Sequence, residues 1–242
     1  MARPPIEAYD ALDSTNAEAR RRAEAGDAGP VWISARRQSA GRGRRGRGWS
    51  TGEGNLAATL LTTSTKPPGE AAQVSFVAAL AVADLAEACL GPGAAALKWP
   101  NDLLVHGKKA AGVLVESGAR ADGDLWLAVG IGVNLASAPA DLPATAFAEH
   151  MARAPAPEDA LEILAQAFER RRQAWEAQGF AAVAAAWTER AHGLGQPCVA
   201  RLPAEELHGI AEGLDPDGAL RLRLANGSLA RITAGDVFFG EA

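Results

Sequence analysis

The sequence predicts an α+β fold: a mixed, mostly antiparallel sheet with packed helices, followed by a small all-β unit. Three observations lead there. Apolar runs of strand length are interspersed with long stretches of helical periodicity. Near residue 192 the texture changes to short alternating runs divided by turn signals. Over 242 residues, 48% hydrophobic and 22% charged is a globular composition with enough chain to bury a sizeable core.

The elements follow in order. A helix is expected to open at Asp13 or Ser14, where side-chain oxygens precede a capping-box spacing from Thr15 to Glu18, and to end near Gly26. Residues 31–35 read as a strand, 36–54 as a Gly/Arg-rich loop and 56–62 as a second strand. A loop of that length needs a functional reason. After the turn at Lys66-Pro67-Pro68-Gly69, an Ala-rich helix covers 71–90 and stops at Gly91-Pro92-Gly93. Strands at 96–99, 103–105, 110–117 and 125–134, with a turn at His106-Gly107, read as an antiparallel sheet. Pro155-Ala156-Pro157-Glu158 opens a helix to about 178, in which Leu161, Leu164, Phe168 and Trp175 form a core-facing stripe, and a shorter helix covers 180–191. Runs at 197–202, 208–214, 219–224 and 228–233, separated by Asp215-Pro216-Asp217-Gly218 and Asn226-Gly227, make a small barrel or meander. The expected units are 1–191 and 192–242, the second with a core of its own, so that a chain ending near Gly195 stays soluble.

Several classes are excluded. The most apolar window, 76–90, is interrupted by Asp84 and Glu87 and falls short of the roughly 18–20 clean apolar residues of a membrane span. The N-terminus has no apolar h-region of a secretory signal. Cys89 and Cys198 lack paired or metal-ligand spacing, so neither a disulfide framework nor a structural zinc is expected, and a reducing cytoplasm fits.

The formal net charge of −5 hides a strongly basic segment: six arginines and no acid between Arg36 and Arg47. One local element wants an anion, and in an acidic chain that anion is expected to be small rather than a nucleic acid. Within Gln38 to Trp49, glycines free backbone N–H groups for oxyanions while guanidinium forks supply fixed, always-ionised donors. Self-repulsion and the five glycines from Gly41 to Gly52 predict a mobile loop before a ligand binds. The segment lacks the GxxxxGK[ST] pattern of a P-loop. Lys98-Trp99-Pro100-Asn101-Asp102 places polar groups at a strand end, and Lys109 starts a strand whose Gly112 leaves room for a ligand. Gly130-Ile131-Gly132-Val133-Asn134 ends a strand without the helix that a dinucleotide fold needs.

Together and in this order, Asp13-Ser14-Thr15-Asn16, Gln38 with GRGRRGR at Gly41 to Arg47, KWPND at Lys98 to Asp102, Lys109-x-x-Gly112-x-Leu114-x-Glu116 and GIGVN at Gly130 to Asn134 resemble the biotin protein ligases. The resemblance is strong over 12–135. It continues weakly where Gly218-Ala219-Leu220 and Ala234-Gly235-Asp236-Val237 are similar to that family's SH3-like tail. It implies a biotin/lipoate ligase-like catalytic domain with an SH3-like barrel, and a two-step reaction in which biotin and ATP, with Mg²⁺, give biotinyl-5′-AMP and pyrophosphate before a carrier lysine takes the biotinyl group. The implied partner is a biotin carboxyl carrier protein of acetyl-CoA carboxylase or a related carboxylase.

By motif, Ser14, Thr15, Asn16, Gln38, Arg42, Gly43, Arg44, Lys109 and Gly112 would bind biotin. Arg42, Arg44, Arg45, Arg47, Trp49, Asn101, Lys109 and Asn134 would bind ATP or the adenylate, with Lys109 and Arg44 catalytic and Asp102 touching the metal. The neighbouring Lys108 leaves a shift by one open. The twelve residues before Asp13 are too few for the winged helix-turn-helix of bifunctional relatives, so a monofunctional ligase without DNA or membrane partner is expected, with homodimerisation left open. Two alternatives remain: a ligase for lipoate or another small acid, and an RNA-binding module built on the arginine loop.

Overall fold

A computed structural model describes residues 3–240. Strand β1 (Ile6–Leu12) and helix α1 (Thr15–Glu24) precede β2 (Val31–Gln38) and β3 (Leu56–Ser64), with the arginine loop between the last two. The short α2 (Pro68–Ala71) leads into α3 (Val74–Leu90), then β4 (Ala95–Lys98), β5 (Asp102–Val105), β6 (Lys108–Ala119) and β7 (Leu125–Val133). Helices α4 (Pro157–Gln178) and α5 (Phe180–Thr188) follow. Strands β8 (Pro197–Arg201), β9 (Glu206–Leu214), β10 (Leu220–Leu224), β11 (Leu229–Ile232) and β12 (Asp236–Phe239) complete the chain.

The first seven strands form one sheet in the order β1-β2-β3-β7-β6-β5-β4. Only β1 and β2 run parallel. Sequence reasoning misses β1 because IEAYDAL has four exposed positions and no period-2 burial, as suits an edge strand. A parallel neighbour needs a crossover, and α1 supplies it. On the opposite edge, Leu97 N–H donates to Arg190 O (2.7 Å) and His192 N–H to Leu97 O (2.8 Å), so residues 190–192 extend the sheet.

Helix α3 lies in the core, as its Val, Leu, Phe and Ala positions require. Within Pro68–Leu90 an 18-residue window reaches a mean hydropathy of 1.6, as a membrane span would, but 61% of it is buried inside the fold, as in a core helix. Its acid Asp84 meets Arg171 of α4 at 2.6 Å, so this partly buried charge is matched. The α4 stripe packs as expected, with Leu161, Leu164, Phe168 and Trp175 buried and Phe168 edge-on to Trp32 at 5.8 Å.

Strands β8 to β12 form an antiparallel sheet ordered β11-β10-β9-β8-β12. Among the described residues no ladder joins β11 to β12, so hydrogen bonding stops short of closing the expected barrel. Nor is the expected separate core found. Leu220, Leu222, Ile232 and Val237 belong to the same buried cluster as Phe76 and Phe180. Trp99 donates its indole N–H to Gly218 O at 3.1 Å, and a Cβ on Gly218 would stand 2.7 Å from the Phe76 ring. The C-terminal sheet therefore covers apolar surface of α3 and α5.

Leu220→Ala, in this shared core, should cost about 2–5 kcal/mol while the chain still unfolds in one transition by tryptophan fluorescence and circular dichroism. An early separate transition of the C-terminal strands would contradict the shared core.

Candidate active site

The floor of the site is a chain of polar groups under the N-terminus of α1. Ser14 is the N-cap, in extended conformation, and Thr15 N–H donates to Gln38 Oε1 at 2.8 Å. Gln38 Nε2 donates in turn to Thr51 Oγ1 at 2.9 Å. Thr59 Oγ1, fully buried on β3, lies 2.8 Å from Thr15 Oγ1 and 2.7 Å from Asn16 Oδ1. One hydroxyl proton serves one acceptor, so Thr59 donating to the amide oxygen leaves Thr15 donating to Thr59. Asn16 Nδ2 donates to Glu116 Oε2 at 2.8 Å. Gly130 is what lets Asn16 sit there, since a Cβ on it would fall 1.9 Å from Asn16 Oδ1.

The arginine loop folds into a small hairpin. Arg42 and Gly48 form an antiparallel bridge, Gly43 N–H donates to Arg47 O (2.7 Å), and Trp49 N–H donates to Gly41 O (2.9 Å). The acids missing from the loop come from elsewhere: Glu116 of β6 lies 3.6 Å from Arg42, and Asp236 of β12 lies 3.3 Å from Arg45 and 2.8 Å from Arg47. Self-repulsion therefore does not leave this loop unsupported.

Across the cavity, the β4–β5 hairpin turns through a cis Trp99–Pro100 bond. Asn101 holds this turn to β6: its Nδ2 donates to Val113 O, and Val113 N–H donates back to Asn101 O at 3.0 Å. Arg44 Nη1 reaches Asn101 Oδ1 and Gly235 O, each at 3.3 Å. Lys109 Nζ stands 2.6 Å from Asp102 Oδ1 and 5.6 Å from the centre of the Trp49 ring. Lys108 is exposed, and of the two neighbouring lysines it is Lys109 that lines the cavity. Trp49 itself rests on bare backbone, since a Cβ on Gly132 would fall 2.3 Å from the indole. Its Nε1–H is buried without a hydrogen-bond partner.

These groups line one cavity of about 910 Å³. Ser14, Thr15, Asn16, Gln38, Arg42, Gly43, Arg44, Arg47, Trp49, Asn101, Asp102, Lys109, Gly112 and Asn134 all reach it. Arg45 does not: with a left-handed backbone (φ 57°) it turns to Asp236. Asn134 uses its Nδ2 on Thr145 O (3.2 Å). Burial pulls Arg44 below the ordinary arginine value, against the charges of Asp236 and Asp102. Burial opposes ionisation of Asp236, but Arg47 and Arg44 outweigh it and hold its carboxyl below the usual range. His192, beside the cavity, is held below its ordinary value by burial and then by Lys98, so it is neutral near pH 7.

Among the described residues no three His, Cys, Asp or Glu side chains converge on a metal position. Asp102, expected to touch a metal, has its carboxylate against Lys109. This donor set does not fit a resident ion. Sequence reasoning missed Thr59, Asp236 and Asn55, whose Oδ1 accepts from Leu135, Ala136 and Ser137 N–H at 2.9–3.1 Å and so fixes the chain after β7. Thr59 and Asn55 are single polar residues in unremarkable local patterns, and Asp236 lies in a segment read only for its likeness to the family's tail.

Thr59→Val keeps the shape of the side chain but strands Asn16 Oδ1, while the Thr15 hydroxyl keeps Gln38 Oε1 at 3.2 Å. Urea unfolding should show a loss of about 1–3 kcal/mol, against less than about 0.5 kcal/mol for Thr62→Val at the less buried end of β3; equal losses would remove Thr59 from the network.

The profile of the biotin/lipoate A/B protein ligase family matches residues 11–134, and that of the biotin protein ligase C-terminal domain matches 193–240. The chain is 46% identical to a biotin–[acetyl-CoA-carboxylase] ligase of Paracoccus denitrificans, over 94% of this chain and 98% of that one. To the bifunctional ligase/repressor BirA of Bacillus subtilis it is 30% identical, over 96% of this chain and 73% of the relative. The biotin protein ligase of Aquifex aeolicus in complex with biotin and ATP shares the fold, with a TM-score of 0.83 at 24% identity, covering 98% of this chain and 99% of that one. Since the matched 11–134 segment carries the polar floor, the arginine hairpin and Lys109, and the Paracoccus relative aligns almost from end to end, the chain belongs to the biotin/lipoate A/B protein ligase family.

Proposed function

We propose that this chain is a biotin–[biotin carboxyl carrier protein] ligase. The supporting observation is the meeting of Arg42, Arg44, Arg47 and Lys109 with an uncharged polar floor in one cavity. A biotin head group is uncharged and rich in hydrogen-bonding atoms, which suits the floor formed by Ser14, Thr15, Asn16 and Gln38. The carboxylate and the phosphates are anionic, which suits the cation wall.

In the first step a biotin carboxylate oxygen attacks the α-phosphorus of ATP. The P–O bond to pyrophosphate breaks, giving the mixed anhydride biotinyl-5′-AMP. Two anions must approach, so the barrier is largely electrostatic, and fixed cations lower it by being in place beforehand. Arg44, anchored on Asn101, and Lys109, oriented by Asp102, flank the position where the new P–O bond forms, while Trp49 and Asn134 lie toward the nucleotide. In the second step the carrier lysine amine attacks the anhydride carbonyl. The C–O bond to AMP breaks and an amide forms. A divalent cation would enter with ATP as its counter-ion and rest on phosphates and water, because the described residues offer no cluster of three His, Cys, Asp or Glu side chains. The acceptor is a lysine on the biotin carrier of acetyl-CoA carboxylase or a related carboxylase.

Exchange of labelled pyrophosphate into ATP should depend on biotin and fail with lipoate. Exchange with lipoate alone, or with neither acid, would overturn this reading. Lys109→Ala should lower the adenylation rate by about 10²-fold or more at saturating ATP, with the melting curve little changed. A rate within about threefold of wild type would remove Lys109 from the reacting centre.

A further inference from the structure

Sequence gives the arginine loop no acid, and the fold supplies one from the far end of the chain. Asp236 opens β12, some 190 residues from the loop, and takes both Arg45 Nη1 (3.3 Å) and Arg47 Nη2 (2.8 Å). The preceding carbonyl, Gly235 O, accepts from Arg44 Nη1 (3.3 Å). Gly235 can present that carbonyl because its backbone (φ 151°) packs where a Cβ would lie 2.9 Å from Arg201 O. The loop is thus held at three successive cationic points by two successive residues of the C-terminal sheet. An exposed ion pair alone contributes little, but one carboxylate fastening two guanidiniums beside a backbone contact fixes geometry, not only charge.

We propose that Asp236 is a positioning residue for adenylation: from the C-terminal sheet it fastens the arginine hairpin so that Arg44 stands over the cavity before ATP arrives. The role rests on the ligase reading above. It assigns to the C-terminal sheet the pre-ordering of a cationic loop that would otherwise pay for its own order each time a substrate bound.

The test uses the full chain with Asp236→Ala, Asp236→Asn and Asp236→Glu. Without substrates, trypsin should cut after Arg45 or Arg47 about fivefold or more faster in the Ala and Asn variants than in wild type, because local opening sets the rate. Single-turnover formation of biotinyl-AMP at saturating ATP should fall about 5–20-fold as Arg44 loses its aim. Asp236→Glu should recover most of both. Asp236→Asn keeps the volume of the side chain and so serves if Asp236→Ala melts early. Unchanged cleavage in both variants overturns the fastening. Faster cleavage with an unaltered adenylation rate overturns the positioning role, as does a lower KM for ATP at unchanged kcat, which would make the carboxylate a competitor of the phosphates. Wild type run alongside separates the two readings: no biotinyl-AMP from it would overturn the activity, and the cleavage rates would still decide the fastening.

Discussion

Packing cations densely enough to bring two anions together is the constraint on which this molecule is built. A loop of like charges repels itself, and its order must be supported by groups outside it. The fold answers with acids drawn from two other strands, Glu116 of β6 against Arg42 and Asp236 of β12 against Arg45 and Arg47, while Asp102 of β5 partners Lys109 across the cavity. Each acid is partly shielded from solvent. Each also lies far from its partner in the chain or across a turn, so the site's electrostatics require β6 and β12 to converge on the loop and β5 to face Lys109.

Much of this was legible in the sequence, and what was legible had a periodic or clustered signature. Helices α1, α3 and α4 and the strands around the central hairpins follow from spacing and turn residues. Strand β1 escaped because its exposed edge position erases alternation, and β12 was not among the runs read in the C-terminal segment. At the site, glycine and arginine clusters point to the loop, while Thr59, Asn55 and Asp236 act singly. Nothing local distinguishes a threonine in a strand from one that closes a relay under a helix N-terminus. Arg45 shows the reverse failure: it lies inside the densest motif, yet its backbone turns it out of the cavity.

The texture change near residue 192 is real in the sequence but does not mark an independent core. Short strands with polar outer faces can look self-sufficient, since periodicity shows which face is buried and not against what. Here the buried face meets Phe76, Phe180 and the Trp99 turn. Trp99 is one residue from Lys98 and two from Asn101, the residue that carries Arg44. The packing that joins the C-terminal sheet to the large sheet therefore also sets the turn on one wall of the cavity, so stability and site geometry share the same contacts.

The same geometry separates a small anion from a polymeric one. An arginine segment that reads nucleic acid presents its guanidiniums along an open surface, where an extended backbone can run past them. In this chain Arg42, Arg44 and Arg47 line a cavity of about 910 Å³, with Arg44 partly desolvated and held by Asn101 on the opposing hairpin. Trp49 closes one side against the bare backbone of Gly112 and Gly132. A compact acid and one nucleotide are within that volume. The anchoring and partial desolvation of Arg44, more than the number of arginines, set this basic loop apart from a solvated one.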